Sequence, residues 1–177
     1  MKRKKPGFTL IEMIIVLALT VIILAIASSI FITGNKVFSD SDVKSTLQVE
    51  GQTIQENLSN IGMQAEEMTS AQIQDGEVKN LTIKSYDNDY NIRYFKIWIN
   101  GKKLAIDKCK NSDGSEVESS QDLSKNIESF KISYNGNLND ANCIEFIIKL
   151  SNKKGFTNVD NYPIDFKVTF RNNGLTQ

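Results

Sequence analysis

The sequence predicts an α+β protein in which a long N-terminal helix packs on an antiparallel sheet of six strands. Three observations predict it. Residues 13–35 run for 23 positions without a charge. From Leu47 onward apolar residues recur at helical spacing, and beyond Gly76 the pattern changes to alternation with β-favouring side chains.

The uncharged run would extend about 34 Å as a helix, enough to cross a hydrocarbon core of roughly 30 Å. Lys2, Arg3, Lys4 and Lys5 precede it, and a basic flank is expected on the cytoplasmic side. This predicts a single-pass membrane protein with its N-terminus in the cytoplasm and its bulk outside. Ala25-Ile26-Ala27 also resembles the small-residue site of a secretory signal peptide. Two features oppose that alternative: the run is long for a signal peptide, and helical patterning continues through the supposed cleavage point.

Leu47, Ile54, Leu58, Ile61, Ala65 and Met68 lie seven, four, three, four and three residues apart, one stripe of a helix. Lys44, Gln48, Gln52, Gln55, Glu56 and Asn57 fall mostly off that stripe. The span is therefore expected to continue into an amphipathic helix, with Gly34, Gly51 and Gly62 as places where it can bend or stop. Strands follow at 77–85, 92–100 and 102–109, the last two joined by an Asn100-Gly101 hairpin turn. Residues 110–125 read as an exposed polar loop with at most one helical turn, and strands resume at 127–134, 143–150 and 162–171. The predicted organisation is a basic leader at 1–7, a transmembrane and assembly helix at 8–35, an amphipathic helix and connection at 36–75, and a sheet domain at 76–177.

Composition narrows the function. Of 177 residues, 40% are apolar and 24% charged, an ordinary globular balance. Basic and acidic residues number 21 each, but four basic ones sit in the leader, so the rest carries 17 against 21, a formal −4. An acidic chain offers no electrostatic footprint for nucleic acid. The absence of His removes the commonest general base and the usual zinc constellations, and no phosphate-binding loop or nucleophile motif is present. No enzyme, metal or cofactor is expected. Cys109 and Cys143 are the only cysteines. If exported they can form a disulfide that stabilises the fold by roughly 4 kcal/mol; the alternative is two separate reduced thiols.

At the membrane boundary the sequence reads Lys4-Lys5-Pro6-Gly7-Phe8-Thr9-Leu10-Ile11-Glu12. A carboxylate at the start of an apolar span costs on the order of 3 kcal/mol at the bilayer centre and calls for a partner, unless it simply snorkels to the interface. Gly7, lacking a side chain, lets a protease approach the backbone closely. These residues resemble the prepilin peptidase motif of type IV pilins and type II secretion pseudopilins. The resemblance covers about the first 60 residues and implies cleavage between Gly7 and Phe8, methylation of the new Phe8 amino group, and use of Glu12 in subunit docking. The expected partners are prepilin peptidase, other pilin subunits and the cytoplasmic membrane, and the destination is an extracellular filament or the cell envelope. Many family members carry a mid-helix proline, whereas here no proline lies between Pro6 and Pro163.

Within that resemblance a minor pilin is preferred to a major one, because the domain is larger and more strand-rich than a simple shaft subunit needs and shows no repeat-like polymer surface. The alternatives are a pseudopilin of a secretion or DNA-uptake filament, a tip adhesin or binding module, and, less well supported, a tethered enzyme. Asp87-Asn88-Asp89 and residues 137–140 carry oxygen ligands suited to calcium, but such runs are usually turns. Tyr94 and Trp98 suit either an aromatic patch for a ligand or, better, a strand face in the core.

Overall fold

The computed structural model describes residues 7–87, 89–155 and 157–172. One helix, α1 (Leu10–Met63), runs unbroken for 54 residues, about 81 Å at helical rise. Eight strands follow: β1 (Ala65–Gln74), β2 (Glu77–Tyr86), β3 (Ile92–Asn100), β4 (Lys103–Cys109), β5 (Val117–Ser124), β6 (Ile127–Tyr134), β7 (Cys143–Lys154) and β8 (Thr157–Thr169). They form two antiparallel meanders, β1 to β5 and β6 to β8. The α+β class holds, but eight strands in sheets of five and three replace the single sheet of six.

The helix passes straight through Gly34 and Gly51 and ends just after Gly62. Two of these glycines serve packing. A Cβ on Gly51 would sit 2.9 Å from Ile164 Cδ1, and one on Gly62 would sit 2.8 Å from Val168 Cγ1. Small residues on α1 thus let it settle closely on β8. Gly34 has open space around it.

Val43, Leu47, Ile54, Leu58 and Ile61 form the buried stripe of α1. They meet apolar side chains of both sheets, including Ile83, Ile97, Phe146, Ile148 and Ile164. Burying each large aliphatic chain contributes about 1.5–3 kcal/mol. A stack of Phe130, Phe146 and Phe166, with centroids 6.1 and 5.0 Å apart, fills the smaller sheet. Glu50 ties the helix to the junction of the two sheets: its carboxylate accepts from Ser124 Oγ at 2.6 Å and Asn126 Nδ2 at 2.7 Å.

Ala65 and Met68 are fully buried, as their place on the stripe predicts, but they sit on β1 rather than on the helix. Residues 117–124, read as loop, form the polar edge strand β5. Tyr94 and Trp98 lie on the face of β3 away from the main core. There Trp98 donates Nε1–H to Asp107 Oδ2 at 2.7 Å and Lys103 Nζ sits 5.3 Å from its ring centre. The turn 110–116 folds over this outer face, bringing Gly114 against Lys96.

The cross-link between Cys109 and Cys143 is absent: both are free thiols. Cys109 is buried on β4 of the larger sheet and Cys143 opens β7 of the smaller one, so the bond would have to join different sheets. Burial pushes the Cys109 thiol pKa up, which keeps it protonated and unreactive.

Candidate functional site

Gly7 and Phe8 lie outside the helix in exposed backbone, and Phe8 is 84% exposed. The peptide between them is therefore free of helical hydrogen bonding and open to approach. Residues 1–6, which hold the basic leader, lie outside the described residues.

Thr9 is extended, with φ −80 and ψ 154, and is the N-cap of α1. Its backbone N–H and its hydroxyl both donate to Glu12 Oε2 at 2.8 Å, and Glu12 N–H donates back to Thr9 Oγ1 at 3.3 Å. This is a capping box: a threonine and a glutamate three residues on satisfy backbone donors that the first turn leaves unpaired. Glu12 also places negative charge at the positive end of the helix dipole. The carboxylate thus already has a partner within its own chain. Both of these contacts fall on Oε2, so Oε1 faces outward to a donor from another chain.

The sequence reading named Glu12 without its link to Thr9. The signal was present, since a threonine followed three residues later by glutamate before an apolar run marks a helix start.

The apolar segment after this cap is exposed all round. No residue of α1 before Val43 is buried, and Leu17, Val21 and Leu24 are 60–63% exposed. A helix apolar on every side is stable only when lipid or other helices cover it. Thr20 and Ser28 return their hydroxyls to the carbonyls of Val16 and Leu24 at 2.7 and 2.8 Å, which removes their cost in an apolar medium.

Where this segment meets the globular domain, the β7–β8 hairpin tip is fastened to α1. Lys154 Nζ lies 2.6 Å from Asp42, Thr157 Oγ1 donates to Asp40 at 2.5 Å, and Ser39 Oγ donates to the Lys154 carbonyl at 3.3 Å. These contacts begin about 6 Å along the helix axis past Asn35, where the uncharged run ends. They hold the domain close to the end of the span.

The oxygen-rich runs have other employment. Asp87 accepts from the backbone N–H groups of Asp89 and Asn91 at 3.0 and 2.9 Å, and its other oxygen lies 3.0 Å from Lys108 Nζ. The Asn91 amide, followed by Lys108, holds its carboxyl down at about 2. Glu118 pairs with Arg93 at 2.9 Å, which lowers the glutamate pKa. Asn137 donates to Asp140 within its own turn at 3.3 Å. Asn88 lies outside the described residues.

Residues 2–28 match the family model of the prokaryotic N-terminal methylation motif. The match supports the type IV pilin and pseudopilin family and covers the cap and most of the apolar segment. No curated protein and no solved structure matches the chain.

Proposed function

We propose that the chain is a minor-pilin-like subunit, inserted in the cytoplasmic membrane with its N-terminus inside, cut between Gly7 and Phe8, methylated on the Phe8 amino group, and assembled through α1. Its role is structural rather than catalytic. The observation that carries this reading is an apolar helix, exposed on every side, whose start is capped by Thr9 and Glu12 directly after an open Gly7-Phe8 junction.

After cleavage the Phe8 amino group lies one residue before the cap. An amino group from a neighbouring subunit can approach Glu12 Oε1 while Oε2 keeps the Thr9 donors. Pairing in a medium of low dielectric is strong enough to select one axial register among helices that otherwise slide on apolar surface. Losing one half of such a buried pair costs about 3–5 kcal/mol.

The test is quantitative mass spectrometry of sheared filaments from cells that express normal and Glu12→Leu subunits with matched membrane pools. The proposal expects the chain as a small fraction of filament mass and strong depletion of the Glu12→Leu form. Equal incorporation would show that packing alone sets the register, and a chain forming the bulk of the filament would contradict the minor role.

A further inference from the structure

The helix does not cover the whole larger sheet. Where its last two turns diverge from β4 and β5 they leave a cleft of about 370 Å³, within the usual range of ligand pockets, roughly 300–1,000 Å³. Asn60 of α1 and Gln64 just after its end form one wall, Ser119 and Gln121 of β5 the other, and Phe95 and Ile106 the floor. The register agrees, because Gln121 pairs with Ile106 and Phe95 with Lys108, which sets these side chains on the sheet face that looks toward the helix.

Two features define what this cleft can hold. The cation at its mouth is already held by carboxylates, since Lys108 lies between Asp87 and Glu118 at 3.0 and 3.6 Å, whereas Asp89, which also lines the cleft, is in no ion pair among the described residues. The wall groups, by contrast, face water. Asn60, Ser119 and Gln121 are exposed and Gln64 is half-buried, so a ligand in the space that all four border would exchange their hydration for its own hydrogen bonds. Carboxamides and hydroxyls both donate and accept. A polyol does the same at every hydroxyl, while its ring presents C–H groups to an apolar floor. An anionic ligand would find no free positive charge there among the described residues.

We propose that this cleft is a binding site for a neutral saccharide of one or two rings, held by Asn60, Gln64 and Gln121 over Phe95 and Ile106. The site lies at the end of α1 remote from the membrane, so it stays accessible on an anchored chain. The inference does not depend on how the span assembles.

The test uses the full chain in a detergent without a sugar head group. Lactose, cellobiose and N,N′-diacetylchitobiose serve as probes, and saturation-transfer NMR gives the readout. At least one probe is expected to bind saturably. Asn60→Ala and Gln121→Ala should each weaken it tenfold or more, with the thermal unfolding midpoint unchanged, while the remote Gln72→Ala leaves binding as it was. No saturable signal with any probe overturns the proposal, as does a signal indifferent to both cleft variants. Loss of co-purifying filament subunits in Gln121→Ala, without a sugar signal, also overturns it and assigns the cleft to a protein partner.

Discussion

The two halves of α1 are continuous in backbone and opposite in surroundings. Before Val43 the helix buries nothing, although it carries Leu17, Leu19, Ile22, Ile23 and Leu24. From Val43 to Gly62 it buries one residue every three or four and leaves polar side chains outside. Apolar content is therefore not what marks the folding core; periodicity is. An amphipathic stripe specifies one partner surface and finds it within the chain. An apolar cylinder specifies no direction, so its cover must be lipid or other helices, and its apolar surface alone fixes no register.

The comparison can be broken most forcefully by equal truncations in each half. Leu58→Ala removes a fully buried side chain and is expected to cost about 2–5 kcal/mol, read as a lower unfolding midpoint of the full chain in micelles. Leu17→Ala should leave that midpoint unchanged and act only on filament incorporation. If both shift the midpoint alike, the division of labour is wrong.

Adding bulk gives a second, smaller contrast. Gly62→Leu drives a side chain into Val168, and overpacking of this kind costs about 1–3 kcal/mol. Gly34→Leu meets open space and should leave domain stability unaltered.

The distal ion cluster sharpens the view of the folded half. Because the Asp87 pKa is lowered to about 2 in the fold from an ordinary value of about 3.9, its contribution is complete above about pH 4. It is lost as pH falls from there toward 2. Urea unfolding at pH 5 and pH 2.5 should show a smaller acid loss in Asp87→Asn than in the normal chain; identical losses would mean that Asp87 is not what ties down the β2–β3 turn.

The smallest effect is expected at the cap. Thr9→Ala removes the hydroxyl that receives the Glu12 amide, a change of about 1 kcal/mol in local helix stability. Amide exchange at residues 10–12 in micelles should accelerate, with no change around Leu58.

These elements differ in how readable they were. The bounds of β3 and β6 follow directly from the alternation of residues 92–100 and 127–134. β1 escaped because register shifts between Ala65 and Glu67 and between Met68 and Ser70 place its buried residues three apart, which continues the helical period. β5 escaped because its first six residues are exposed and all but Val117 are polar, so its strand character comes from backbone pairing with β4 rather than from a buried face. At the start of the helix, composition showed a span with an unusual carboxylate, but the cap depends on a three-residue spacing that hydropathy does not see. The cleft was not readable at all, because its walls come from segments about 60 residues apart and its existence depends on where a straight helix leaves a sheet.

The central claim is that the exposed half of α1 is an assembly helix released by cleavage at the open junction before its cap. Intact-mass and N-terminal fragment spectra of the chain recovered from the native envelope test it most directly. The account predicts a chain that begins at Phe8 and carries one added methyl group on its amino nitrogen. A chain that retains Met1 to Gly7, or one that begins at Ser28 after signal-peptide cleavage, would contradict it.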